Sequence, residues 1–220
     1  MKYYIRTTGE RILDESYVQI PYEKLIDKDH RYIDFFIEQL ERVGNEDCVI
    51  IEDDCVLCKD FKKRIEAVIS KYPNKVINFF YWARHYFFTH EDFDYYQNQC
   101  TYYPKGLAIK IAQEMRKVHK EIPYFCTDQC VGEALRRLNE THVQYRPCLV
   151  QHLNFDSFLN HKVEDRGLRT PFFIDYLDKL NLDYNHLTSD DIKKLTREMK
   201  YHLLSKKKIW LKQKGELPND

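Results

Sequence analysis

The segment Cys48-Val49-Ile50-Ile51-Glu52-Asp53-Asp54-Cys55-Val56-Leu57-Cys58 sets an apolar run directly against three carboxylates. Val49, Ile50 and Ile51 read as a strand buried on both faces, because a half-buried strand would alternate with polar residues. Three adjacent acids in a dry site repel one another, and the remedies are a bound cation, hydrogen-bond donors or water. In open α/β sheets ligands bind at the carboxyl ends of central strands. The segment therefore predicts a divalent-metal site at a strand end, beside a phosphate-bearing substrate.

Strand and helix signals alternate around this segment, which predicts an α/β architecture. Tyr3 to Thr8 reads as the first strand and Tyr17 to Pro21 as a short second one, with Lys24 to His30 a charged connection. Ile33, Phe36, Ile37, Leu40 and Val43 follow helical spacing up to Gly44-Asn45. Phe61, Ile65, Val68 and Ile69 repeat that spacing up to Pro73-Asn74. Val76 to Trp82 reads as a strand, and residues 85 to 100 as an aromatic and acidic loop over a site. A helix follows Gly106 through Leu107, Ile111, Met115 and Val118. Another runs from Gln129 to Leu138, capped by Thr127 or Asp128. Val143 to Val150 reads as a strand. From Ser189, Ile192, Leu195, Met199, Leu203 and Trp210 mark the apolar stripe of a lysine-rich amphipathic helix. The expected division is a domain over 1–187 and a basic helical extension over 188–220.

A chain of 220 residues that is 43% apolar has room for a sizeable core. Its formal net charge is zero, so no global field points to nucleic acid or membrane. Met1-Lys2 leads into Tyr3-Tyr4-Ile5 without a long apolar region, so the expected location is the cytoplasm, with reduced thiols. The pairs Cys55-x-x-Cys58 and Cys126-x-x-x-Cys130 have spacing that a zinc site can use. No knuckle loop or histidine accompanies them, and small buried hydrophobes are the favoured reading.

The acidic segment through Asp60-Phe61 resembles the Glu-Asp-Asp stretch of nucleotide-sugar glycosyltransferases of GT-A fold, most of all small bacterial and phage enzymes of lipopolysaccharide-glycosyltransferase type. Pro147 to Ser157, with Leu149-Val150-Gln151-His152 inside it, is similar to a second segment of those enzymes. Tyr124 to Leu135, where an aspartate opens a helix, is a weaker third. The resemblance spans roughly residues 1 to 160 in the family's order. It implies a GT-A-like (Rossmann-like) mixed, mainly parallel sheet flanked by helices. It also implies a metal-dependent hexosyl- or pentosyltransferase using Mn²⁺ or Mg²⁺. The donor would be a nucleoside-diphosphate sugar, UDP-sugar foremost, and the acceptor a hydroxyl on a glycan, lipid-linked sugar, protein or hydroxymethylated DNA base.

Roles follow from the resemblance and from chemistry. Asp54, the last acid of the triplet, is the expected metal ligand, with His152 a further metal or diphosphate ligand. Glu52 and Asp53 are expected beside the nucleotide sugar, Glu52 on ribose. Asp128 is the expected catalytic base of an inverting transfer, against the alternative of a helix cap. A retaining enzyme needs no such base. Arg6, Thr7 and Thr8 follow the first strand and are expected at base, ribose or diphosphate. Asp27 takes a ribose or base hydrogen bond, and Arg11 reads as ordinary loop polarity. Tyr103 and Gly106, with Tyr102, are expected at the sugar pocket.

Two other classes compete. A non-catalytic module would grip DNA through the basic tail, a surface that also suits anionic lipid. A phosphoesterase or nuclease would use acids at a strand end for two metals, though no second acidic cluster accompanies the first.

Overall fold

A computed structural model describes residues 1–29, 31–82, 89–95, 97–153 and 169–218. In chain order its elements are β1 (Lys2–Thr7), β2 (Glu23–Ile26), α1 (Ile33–Val43), β3 (Cys48–Glu52), β4 (Cys55–Leu57), α2 (Phe61–Ile69), β5 (Val76–Asn78), β6 (His90–Asp92), β7 (Cys100–Tyr103), α3 (Leu107–Glu121), α4 (Thr127–Arg137), β8 (His142–Gln144), β9 (Val150–His152), α5 (Ile174–Leu180) and α6 (Ser189–Gln213). Among the described residues, no helix is long and apolar enough to cross a membrane.

Seven strands form one mixed sheet in the order β2-β1-β3-β7-β5-β8-β6. β1, β2 and β3 are parallel neighbours, as are β5 and β8, while β7 and β6 are antiparallel to the strands they pair with. β3 is central, and Cys48, Val49, Ile50 and Ile51 are all buried, as a strand covered on both faces requires. Successive side chains point to opposite faces. Val49 and Ile51 join Phe61, Ile65, Tyr176, Leu177 and Leu195 from α2, α5 and α6. Cys48 and Ile50 join Phe36, Leu40, Ile111 and Leu135 from α1, α3 and α4. Helices thus cover both faces, and the carboxyl ends of β1 and β3 emerge side by side at one edge of the core.

Several sequence expectations change. Tyr17 to Pro21 is not a strand, because a 3₁₀ turn occupies Glu15–Gln19. Its side chains bind the segment after β3: Tyr17 donates to the Glu52 carbonyl at 2.5 Å, and Ser16 Oγ accepts from Leu57 N at 2.9 Å. The second strand is instead Glu23–Ile26, inside what reads as a charged connection; it is an edge strand with only Leu25 buried, so it lacks an apolar run. The 76–82 strand stops at Asn78, whose side-chain Oδ1 accepts from Phe80 N and turns the chain. Within 85–100, His90–Asp92 pairs with β8 and Cys100 opens β7; residues 83–88 and 96 lie outside the described set. The 143–150 strand divides into β8 and β9 around Pro147, which has no N–H to extend a ladder. The helix expected to be capped by Thr127 or Asp128 has Cys126 at its cap position, where Cys126 N donates to Gln129 Oε1 at 3.0 Å.

The C-terminal helix packs on the body. Leu195 is wholly buried in the core beneath α2 and α5, and Leu203 packs with Val56 and Leu153. Tyr176 and His202 share a 2.8 Å hydrogen bond, and Lys206 Nζ lies 2.8 Å from Asp14 Oδ2.

Candidate metal centre

The register of β1 against β3 sets Arg6 opposite Glu52 at the last position of their shared ladder. With the same parity on adjacent strands, their side chains share a face, and the Arg6 guanidinium pairs with Glu52 Oε1 while resting over the Phe36 ring. β3 ends at Glu52, so Asp53 and Asp54 form the turn into β4 and strict strand parity no longer separates them. β4 then pairs antiparallel with β9, Cys55 opposite His152. Leu153 N donates to the Asp54 carbonyl at 2.8 Å. This ladder brings His152 Nε2 to 3.3 Å from Asp54 Oδ2. Glu52, Asp54 and His152 each offer a ligand atom, all within 4.8 Å of one another.

The loop after β1 folds back onto this turn. Gly9 has φ +89°, a left-handed conformation that glycine adopts without a Cβ penalty. Its N–H donates to Thr7 Oγ1 at 2.9 Å, and Thr7 Oγ1 donates to Asp53 Oδ2 at 2.5 Å. Two residues on, Arg11 Nη1 lies 2.8 Å from Asp53 Oδ1 and 2.6 Å from Asp54 Oδ2. The hydrogen-bond remedy for crowded acids is therefore present in the chain itself: Arg6 on Glu52, Thr7 on Asp53, and Arg11 across both aspartates.

The electrostatics follow from this crowding. Burial alone would raise the Asp54 carboxyl; His152 and Arg11 more than offset it and hold the group well below the usual carboxylate range. Asp53 moves the other way, raised by burial and then by the Asp54 charge, with Arg11 and Thr7 opposing. Burial disfavours the imidazolium of His152, but Asp54 wins and raises it. Asp128, at the start of α4, is half-buried, and desolvation together with the Glu52 charge pushes its carboxyl up to about 6, against the pull of Arg6. Gln97 N donates to its Oδ2 at 2.9 Å and Asn98 Nδ2 to its Oδ1 at 2.5 Å.

The structure brings together Arg6, Thr7, Glu52, Asp53, Asp54 and His152, and sets Asp128 within electrostatic reach of Glu52 and Arg6. Thr8 follows Thr7, and its buried hydroxyl has no hydrogen-bond partner among the described residues. Asp27 N donates to the Thr7 carbonyl, so it sits at the same strand ends; its carboxylate accepts from Arg31 N and Tyr32 N and shapes the entry to α1. By backbone position Tyr103 and Gly106 sit at the opposite end of β3 from the acids. β7 runs against β3, which sets Tyr103 opposite Cys48 rather than Glu52, and Gly106 N donates to the Gly44 carbonyl beyond it. The Tyr103 hydroxyl nonetheless comes within 3.4 Å of Tyr95 and senses Arg6 and Asp128. Gln151, beside His152, turns inward to the Thr170 carbonyl and Tyr176, and residues 154–168, which include Ser157, lie outside the described set.

Arg11, read from sequence as loop polarity, is the correction of most consequence; the signal was the uncompensated triplet itself, which needs a cation. Gln97 and Asn98 carried no sequence signal as partners of Asp128. The cysteine pairs do not assemble: Cys55, Cys58 and Cys130 are buried free thiols and Cys126 is exposed.

Two carboxylates and an imidazole make a donor set that could hold a metal ion. Asp54 Oδ1 and His152 Nδ1 are buried without a hydrogen-bond partner among the described residues. Buried polar atoms usually have one, so the donor set has capacity left over.

No protein-family model matches the chain, and no curated protein does. Among solved structures it is similar to the crystal structure of A197 from STIV, at 12% identity and a TM-score of 0.43, over 71% of this chain and 87% of that one.

Proposed function

We propose that the chain is a metal-dependent glycosyltransferase of GT-A type, moving a sugar from a nucleoside-diphosphate donor to a hydroxyl acceptor. The observation that carries the reading is the convergence of Asp54 and His152, from opposite halves of the chain, on one site with Glu52. The sheet supports it: β1 and β3 end together at that site, where α/β sheets bind ligands.

Asp54, His152 and Glu52 hold the ion, which when bound supplies Lewis-acid stabilisation of charge on the departing diphosphate. Arg6 and Arg11 add cationic donors for phosphate oxygens. Asp128 orients the acceptor hydroxyl and takes its proton as the acceptor oxygen bonds to the anomeric carbon and the bond to diphosphate breaks. A carboxyl at about 6 is ionised at neutral pH yet basic enough for that transfer. Its two hydrogen bonds to Gln97 and Asn98 leave carboxylate lone pairs for the hydroxyl.

A second reading rests on Arg11: with the aspartates already bridged, the cluster is an ion network that ties the loop after β1 to the core. One experiment separates them. Thermal melting with a panel of nucleotide sugars, with and without Mn²⁺, should show stabilisation that needs both components and is lost in Asp54→Ala. Absence of any shift across the panel sinks the transferase and leaves the ion network.

A further inference from the structure

The inner face of α6 is accounted for by Leu195, Leu203 and Trp210, all buried against the body. Its outer face is unusual for a solvated helix. Tyr201 is 74% exposed and Leu204 62% exposed, and they lie on one face with Arg197, Lys200, Lys207 and Lys208, at the three- and four-residue spacings that align side chains along a helix. None of these four cations has an acid partner among the described residues. Asp190 and Asp191 pair with Lys193 and Lys194, Glu198 pairs with Lys179, and beyond Glu198 the helix carries no acid. Lys206, by contrast, turns inward to Asp14 and Glu15.

We infer that this face of α6 is a docking surface for an anionic lipid bilayer. Charge complementarity names the partner: a cluster of cations without counter-charges, in a chain whose formal net charge is zero, matches a surface of phosphate headgroups. The apolar pair decides between lipid and nucleic acid. Phosphate contacts with DNA use the cations but give no role to Leu204, whereas a helix lying in a membrane interface buries leucine at the acyl boundary and seats tyrosine at headgroup level. The surface suits peripheral binding, with the helix parallel to the bilayer and its inner face still on the protein. Leu203, which packs on Val56 and Leu153, and Lys206, bound to Asp14, tie the docked helix to the elements that carry His152 and Arg11. The inference does not depend on the reaction assigned to the acidic site.

The test is co-sedimentation of the full chain with phosphatidylcholine vesicles, with and without phosphatidylglycerol. Two double variants accompany it: Tyr201→Ser with Leu204→Ser, and Lys207→Glu with Lys208→Glu. All four positions are exposed, so the variants should melt as the parent does. The parent is expected to sediment with anionic vesicles only, and each double variant to lose at least about tenfold in partitioning. No binding to anionic vesicles, or binding indifferent to Tyr201 and Leu204, overturns the inference. Stronger capture by duplex DNA that depends on the lysines alone reassigns the face to nucleic acid. Loss of a dimer in the Tyr201 and Leu204 variant reassigns it to self-association.

Discussion

Arg11 Nη1 lies 2.6 Å from Asp54 Oδ2, the same oxygen that His152 Nε2 approaches at 3.3 Å. One carboxylate oxygen thus collects two nitrogen partners from separate segments. A divalent ion at Asp54 competes with both. Arg11 stands on the loop after β1, outside any strand ladder, whereas His152 is fixed by the β4–β9 ladder. The arginine is therefore the partner that yields, and His152 the one that changes protonation.

Replacing Arg11 with Met leaves Asp53 and Asp54 buried beside each other without their shared counter-charge. Breaking a buried ion pair from one side costs about 3–5 kcal/mol, so the variant should melt well below the parent in metal-free buffer. Mn²⁺ should restore much of the loss and shift the variant further than the parent. Differential scanning calorimetry with and without Mn²⁺ measures both. Equal melting of parent and variant would mean that the bridge contributes nothing.

Metal affinity should rise with pH. Asp54 raises the His152 pKa, and a protonated imidazole cannot donate to a metal. The sign for stability is opposite. A raised histidine pKa stabilises the metal-free fold fully below its ordinary value of about 6.5, and that gain fades as pH climbs through the elevated folded value. Calorimetric Mn²⁺ titrations from about pH 6 to about pH 8 should show affinity climbing by up to about tenfold per unit before levelling. In His152→Gln the slope should flatten. A pH-independent affinity in the parent would remove His152 from the ligand set.

Long periodic segments and the acidic strand were legible from sequence, because burial on a helix face or on both faces of a strand leaves a pattern in residue type. α1, α2 and α3 begin at Ile33, Phe61 and Leu107, where their apolar stripes open. Short strands were not legible. β2 is an edge strand with one buried side chain, and β7 is Cys-Thr-Tyr-Tyr, whose identity as a strand comes from its neighbours β3 and β5. At the site, Asp54 and Glu52 announce themselves by adjacency, and His152 entered through its segment's resemblance. Arg11 did not, because nothing local to Glu10-Arg11-Ile12 says that Gly9 turns the loop back over residues 53 and 54. The partners of Asp128 come from a loop some thirty positions earlier, a relation that only the packed fold creates.

Leu195→Ala tests whether α6 belongs to the core or merely follows it. Leu195 is wholly buried in the cluster shared with Ile51, Phe61 and Tyr176. Truncating such a leucine costs about 2–5 kcal/mol. The variant should lose that much in urea denaturation, through a single transition that also melts the sheet. A loss below about 0.5 kcal/mol, the range of surface substitutions, would show a helix whose contacts are incidental to the fold.

Asp128→Asn separates a catalytic base from a structural acid. Because the folded carboxyl titrates at about 6, above its ordinary value, the native state holds the proton more tightly than the unfolded chain does. The stabilisation from that proton is present at low pH and is lost as pH rises through about 6. The parent should therefore lose on the order of 3 kcal/mol relative to the variant between about pH 4 and about pH 7. Catalysis runs the other way: the parent's rate should fall about tenfold per unit below pH 6 as the base is protonated, while the variant should be about 10²–10⁴-fold slower with that acidic limb gone. Paired denaturation and rate profiles read the two effects separately. A variant that keeps the parent's rate and its acidic limb assigns Asp128 to holding Gln97 and Asn98 in place, and the proton acceptor would then lie elsewhere.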